Sequence, residues 1–275
     1  MERICMYPWE FWVPPFRICG NLYYVGNSNV SAHLVDTGDG LILIDTTFPQ
    51  SAYLLLESIR RLGFNPGNIR YILHCHGHYD HFGSTRALVE LTGARAALGE
   101  QDIEIITHKP ELSWAPEYGV PCFETFVVDM PLADGQKVTM GSTEVECVHI
   151  PGHTPGCMAF FFQVQDGKRR YTAGLYGGPG LNTLSTAYLH KYDLPIARRD
   201  DYLRSVRKMQ PRHVDILLGA HPNQNDTLGK RERISGADNP FYDPAGWQAY
   251  LGALEQTALA EFGRIEHAVK NDGRN

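Results

Sequence analysis

Apolar and polar residues along the first hundred positions fall into short runs whose period changes from element to element. Residues 20–36 (GNLYYVGNSNVSAHLVD) alternate and read as a β-hairpin, with Gly26-Asn27 as turn material. Leu41–Ile44 is wholly apolar and predicts a short buried strand ending at Asp45. Over 51–62 the period lengthens: Leu55, Ile59 and Leu62 share one helical face, with Gly63 just past the end as a C-cap. A strand over 70–73 then runs straight into HCHGHYDHFG, followed by a helix over 84–92, a strand near 94–98 and a helix near 100–107. From 126 to 173 the pattern is strand-like throughout (VTM, STEVECVHI, MAFFFQVQ, RRYTAG), with Asp166-Gly167 as a hairpin turn. A helix over 199–209 carries Asp200 and Asp201 in its first turn, where acids suit the helix dipole. VDILLGAH (214–221) predicts another buried strand, and Asp243-Pro244 the N-cap and first residue of a C-terminal helix.

Strands and helices thus occur in two similar successions, an α/β pattern with sheets inside and helices outside. At 275 residues one or two domains are open on length alone; the succession is read as one domain over 1–275, with a short N-terminal extension at 1–15. Two stretches, 109–122 and 177–196, are long enough to be functional loops. With 43% hydrophobic and 20% charged residues the chain is neither disordered nor fibrous. No run approaches the ~18 apolar residues of a membrane span. Lys and Arg number 25 against 31 Asp and Glu, a net charge of −6 with no basic block, which argues against nucleic acid and for a small-molecule partner. Six scattered cysteines without a CxxC pair read as buried thiols. The N-terminus, broken by Pro8, Pro14 and Pro15, is not a secretory signal, so the expected location is the cytoplasm, or the periplasm or exterior if a leader was trimmed. Oligomeric state is not legible.

The chemistry lies in the histidines. Residues 76–81 read His-Gly-His-Tyr-Asp-His, at the end of a strand and before a helix. Histidines two apart converge on one ion when a chain leaves a strand and tightens, while Asp80 and His81 then point elsewhere and can hold a second. Imidazole with carboxylate suits zinc, and less selectively iron or manganese. His153 in PGHTPG and His221 at the end of VDILLGAH also terminate strands, so three strand ends bring histidines toward one rim. His74 and His149 are placed behind the cluster, where ligands need outer partners. Cys75 and Cys157 read as small buried residues. Trp114, Tyr118 and Tyr176 are weaker candidates for lining a substrate pocket.

HxHxDH followed by PGHTPG is identified as the signature of the metallo-β-lactamase superfamily. The resemblance runs from about Phe16 to the C-terminal helix and implies a four-layer αβ/βα sandwich with two metals at the shared rim. The superfamily's glyoxalase II and acyl-homoserine lactonase branches carry a metal-bridging aspartate, and YTAGLYGG places Gly174 there instead. What remains resembles the third subclass of metallo-β-lactamases. It implies His76, His78 and His153 as ligands of a first zinc, and Asp80, His81 and His221 of a second. It also implies a metal-bound hydroxide that opens a β-lactam or similar cyclic amide or ester, with Asp80 orienting the hydroxide and passing a proton. The alternative is a cytoplasmic hydrolase of another lactone, thioester or amide. Iron-based redox chemistry and a non-catalytic scaffold are weaker alternatives, because the bridging aspartate is missing and all six ligand positions are filled.

Overall fold

The structure is a computed structural model and describes residues 1–120, 123–235 and 238–272. Seven strands form one sheet in sequence order: β1 (Phe16–Cys19), β2 (Leu22–Tyr24), β3 (His33–Asp36), β4 (Leu41–Ile44), β5 (Ile69–Leu73), β6 (Arg95–Gly99) and β7 (Met130–Leu132). The second sheet holds β8 (Gln136–Met140), β9 (Thr143–His149), β10 (Met158–Asp166), β11 (Arg169–Tyr176) and β12 (Ile216–Leu218), in the order β12-β11-β10-β9-β8. The predicted hairpin pairs Tyr24 with His33, and the Asp166-Gly167 turn joins β10 to β11 with Asp166 opposite Arg169.

Alternation along each strand builds the layers, because successive side chains leave opposite faces of a sheet. Ile42 and Ile44 of β4 meet Phe160, Phe162 and Val164 of β10 in a core between the sheets. Leu41 and Leu43 face outward and pack on Leu55 and Ile59 of the helix Ala52–Arg61 and Leu88 of the helix Thr85–Thr92. Ala159 and Phe161 face the other way, against Tyr202, Val206 and Met209 of the helix Arg198–Met209 and Trp247 and Leu251 of the helix Gly246–Asp272. The outcome is helix, sheet, sheet, helix: the four-layer αβ/βα sandwich. A strand buried on both faces must be apolar throughout, which is why LILI shows no alternation.

Several elements differ from the sequence expectation. Only Ile216–Leu218 of the segment 214–221 pairs as a strand, because the chain bends at Gly219, where a Cβ would stand 2.5 Å from the carbonyl oxygen of His221. Asp243 does not cap the last helix. Its amide donates to Asp215 O at 2.8 Å and Gly246 N donates to Asp243 O at 3.0 Å, a turn that delays the helix to Gly246. The loop 177–196 contains a short helix, Thr186–Lys191, capped by Ser185 Oγ accepting from Tyr188 N. Residues 1–15 pack on the body, with Ile4 and Cys5 buried beside Phe48 and Tyr79, and Trp12 Nε1 donating to Ser58 Oγ at 3.1 Å. Cys5, Cys19, Cys75, Cys147 and Cys157 are buried free thiols, while Cys122 lies outside the described residues. No helix among the described residues is long and apolar enough to cross a membrane.

The two sheets touch closely at one rim. Gly99, the last residue of β6, lies so near the segment after β9 that a Cβ would stand 1.9 Å from Gly156 O. Gly99→Ala must therefore push the sheets apart. Overpacking of this kind typically costs about 1–3 kcal/mol, and a loss at the top of that range is expected in a denaturant titration; wild-type stability would show that the rim has room to spare.

Candidate metal centre

Three strand ends deliver the histidines to that rim. The chain leaving β5 passes His74, Cys75, His76 and His78 before a short helix, Tyr79–Phe82, presents Asp80 and His81. His153 follows β9, and His221 follows β12. All are buried except His221, which is partly exposed. The structure gathers the six named residues into two adjoining groups: His76, His78 and His153, and Asp80, His81 and His221. In each group one donor atom per residue lies within 4.8 Å of the others.

The second group forms a small triangle. His81 Nε2 lies 3.3 Å from His221 Nε2 and 3.4 Å from Asp80 Oδ2, and His221 Nε2 lies 3.6 Å from the same oxygen. Donors bound tetrahedrally to one zinc at 2.0–2.2 Å stand about 3.3–3.6 Å apart, so the triangle has the size of a zinc ligand face. In the first group His153 Nε2 faces His78 Nδ1 at 3.0 Å, and the buried Nε2 of His78 has no hydrogen-bond partner.

Neighbours fix which nitrogen of each ring is free. His153 Nδ1 donates to Gly180 O at 2.7 Å and His221 Nδ1 to Asn29 O at 2.8 Å; a carbonyl only accepts, so both rings carry the proton there and present bare Nε2 atoms inward. His81 Nδ1 donates to Asp45 Oδ2 at 2.8 Å, with the same result. Burial, reinforced by the neighbouring rings, holds His76 and His78 well below the usual imidazole value, and burial takes His153 down to about 3. Burial also pulls on His81, but the carboxylates of Asp80 and Asp45 outweigh it and hold this imidazole above its ordinary value. The rings of His76, His78, His153 and His221, all held toward the neutral form, and the inward Nε2 of His81 beside a carboxylate are the donor set of a divalent transition metal, whose binding would displace any proton from His81.

Two acids to which the sequence reading assigned no role hold this arrangement. Asp45 sits at φ +59°, turns off the end of β4 and accepts from Cys75 N at 2.9 Å as well as from His81. Burial would raise its carboxyl, yet His81 and Cys75 together hold it below the usual range. Asp102 accepts from Gly77 N at 2.7 Å, Thr154 Oγ1 at 2.6 Å and Gly156 N at 2.6 Å, tying the loop of His76 and His78 to the loop of His153. The only sequence signal for Asp45 is an acid directly after a fully apolar strand. Asp102, in GEQD, has none.

The remaining candidates separate. Trp114 and Tyr118 line a cavity of about 200 Å³ together with all six donors, Asn182, Gln224 and the turn 178–180. Trp114 stands at φ +66° with its ring 5.9 Å from that of His78. The Tyr118 hydroxyl donates to Asp80 Oδ2 at 3.3 Å. Tyr176 is placed elsewhere: it is buried in the core under the outer helices, because the final residue of β11 faces that layer. Gly174 faces the same way, and a Cβ there would stand 2.7 Å from Val214 Cγ2. A carboxylate at 174 would point away from the histidines; Leu175 is the neighbour that faces the inter-sheet core. His74 lies behind the cluster, bonded through Nδ1 to Ala97 O and through Nε2 to Thr85 Oγ1, and His149 bonds Pro155 O outside it. Cys75 Sγ approaches Asp45, His76 and His81, and burial, then Asp45, pushes its thiol well above the ordinary value.

A metal-binding rim between two sheets of an αβ/βα sandwich defines a class of hydrolase. The family model of the metallo-β-lactamase superfamily matches residues 25–167, and the chain belongs to that superfamily. Among solved structures it is similar to the native FEZ-1 metallo-β-lactamase from Legionella gormanii, at 30% identity over 92% of this chain and 97% of that one, with a TM-score of 0.83. It is also similar to the class B3 di-zinc metallo-β-lactamase LRA-12 from an Alaskan soil metagenome, at 26% identity over 93% and 96% of the two chains and a TM-score of 0.82. A further relative is the hydroxyacylglutathione hydrolase GloC of Haemophilus influenzae, 26% identical over 190 residues, which are 68% of this chain and 81% of the relative. The chain is a metal-dependent hydrolase, as these relatives are.

Asp45→Asn tests the outer support. An amide donor facing His81 Nδ1 forces the other tautomer and turns a protonated Nε2 toward Asp80 and His221. Zinc affinity at that group is expected to fall by about 10–100-fold, read by competition with a chromogenic chelator; unchanged affinity would mean that Asp45 does not orient His81.

Proposed function

We propose that the chain is a binuclear zinc hydrolase that opens a β-lactam or a similar cyclic amide or ester. In this reading His76, His78 and His153 hold one ion, and Asp80, His81 and His221 the other. The observation that carries it is the pair of adjoining donor groups, each with three protein ligands and each opening on the same cavity. Three ligands leave a coordination position free, as a catalytic zinc requires. Zinc bound there supplies Lewis acidity, which makes water a nucleophile near neutral pH and polarises a carbonyl.

The chain's own residues do the rest. Asp80 holds a fixed carboxylate oxygen between His81 and His221 while Tyr118 steadies it from the cavity side. From that position it orients the attacking water, takes its proton and later delivers a proton to the departing nitrogen or oxygen. Trp114 and Tyr118 wall the cavity with apolar surface, which excludes bulk water and strengthens the electrostatics inside. Resemblance to FEZ-1 and LRA-12 over nearly the whole chain favours a lactam ring as substrate. Kinship with GloC supports the second reading, a hydrolase of another lactone, thioester or amide.

Hydrolysis of a chromogenic cephalosporin and a carbapenem by zinc-loaded protein separates the two. Rapid ring opening abolished by a chelator is expected, with His76→Ala and Asp80→Asn each reducing kcat/KM by more than about a hundredfold while remaining folded. Wild-type rates in either variant would remove the proposed site. A zinc-loaded enzyme that opens lactones or thioesters but neither lactam would establish the second reading.

A further inference from the structure

Resting on the two-metal function proposed above, we infer that residues 1–12 position the second donor group: they tie the loop of Tyr118 to the turn at 27–29, and each of these steadies one donor. Asp80 and His221 reach the group from different strand ends. The Tyr118 hydroxyl donates to Asp80 Oδ2, and Asn29 O fixes the His221 ring through Nδ1. Neither Tyr118 nor Asn29 lies on a strand or a helix, so the regular hydrogen bonding of such elements does not hold them.

The same segment touches both. Near its start, Glu2 N donates to Tyr118 O at 3.0 Å, and Ile4 and Cys5 are buried with Phe48, Ala115 and Val120 in the cluster against which Tyr118 packs. Phe48 meets the Tyr118 ring edge-on at 5.1 Å. At the other end, Ser28 N donates to Phe11 O at 2.8 Å, and Trp12 forms a single antiparallel bridge with Asn27. Asn27 Oδ1 in turn accepts from Asn29 N at 2.8 Å and Val30 N at 2.7 Å, and the Tyr24 hydroxyl donates to Asn27 O, which fixes the direction of Asn29 O. Between its ends the segment is braced. The helix Arg3–Met6 leads into a 3₁₀ turn, Pro8–Phe11, opened by a proline whose φ suits a helix start. Arg3 donates twice to Glu10, at 2.7 and 2.8 Å. An exposed pair adds little stability, but this one joins the helix to the turn and keeps the segment from stretching. Trp12 anchors the end, its Nε1 donating to Ser58 Oγ at 3.1 Å and its ring lying under the Arg61 guanidinium. Movement at either end is therefore passed to a donor of the second group. The first group is held by other contacts, through Asp102 and Gly180 O.

Two substitutions at opposite ends test this. Glu2 stands at φ −60°, which proline accepts, so Glu2→Pro removes the amide that reaches Tyr118 O without straining the backbone. Trp12→Ala releases the end beside Asn27. Zinc is titrated into metal-free protein carrying isotope-labelled histidine and followed by NMR, with His153 reporting the first group and His81 and His221 the second. Each substitution is expected to weaken zinc at the second group by about tenfold, the lower end of what loss of an outer partner costs, while the first group titrates as in the wild type. Glu2→Ala keeps the amide and is expected to match the wild type at both. Equal weakening at both groups is general destabilisation and overturns the inference, as does wild-type affinity at the second group in either variant. Should Trp12→Ala not fold, Glu2→Pro alone carries the same outcomes. If the wild type binds fewer than two zinc ions, the two-metal reading fails, and amide hydrogen exchange of the metal-free protein decides the strap by itself. Faster exchange at Tyr118 and Val120 in Glu2→Pro, and at Ser28 and Asn29 in Trp12→Ala, supports it; unchanged protection overturns it.

Discussion

Asp102 is the joint on which the site depends. It sits fully buried at the edge where the sheets meet and receives hydrogen bonds from Gly77, Thr154 and Gly156. Two of these donors belong to the loop after β9 and one to the loop after β5, so a single carboxylate registers His76 and His78 against His153. Burial keeps its carboxyl above the usual range, with Thr154 and the two amides opposing that shift. Gly77 and Gly156 both approach it closely: a Cβ at either position would stand within about 3.1 Å of its atoms. The backbone itself is therefore packed around the acid, and the strand ends have little freedom to drift.

Asp45 does for the second group what Asp102 does for the first. Its left-handed backbone conformation turns a strand end back on itself, and the carboxylate then reaches both Cys75 N and His81 Nδ1. Strain at such a position persists only where surrounding contacts over-determine it. Here Cys75 N, Cys75 Sγ and His81 Nδ1 do so. The hydrolytic chemistry then requires little of the loops beyond closing a small cavity and steadying Asp80 and His221, since most positioning is carried by strand ends and two buried acids.

Much of this was legible from the residue pattern, for identifiable reasons. HxHxDH concentrates four donors in six residues, and local geometry forces them to one loop, so His76, His78, Asp80 and His81 needed no tertiary information. His153 and His221 were legible because each follows a strand within a few residues, although neither is part of one. The layers followed from the period-2 alternation of β10 and the unbroken apolar run of β4. What escaped were effects of distant contacts. Tyr176 was placed at the pocket, yet its face of β11 is set by helices that follow it in the chain by more than twenty residues. Gly174 was matched to a metal-facing position by motif spacing, and a one-residue difference in a strand reverses the face. The start of the last helix was misplaced because Asp243 spends its amide on Asp215. Asp102 gave no signal at all, since a lone acid in a polar run is indistinguishable from a solvated one until its three donors are in view.

In the proposed reading, six side chains from three strand ends hold two metal ions side by side. Anomalous diffraction from crystals of the zinc-loaded protein, collected above and below the zinc edge, tests it most directly. Two peaks are expected, one among His76, His78 and His153 and one among Asp80, His81 and His221, each within about 2.0–2.2 Å of its donor atoms. A single peak shared by both groups, or none at this rim in fully loaded protein, would contradict it.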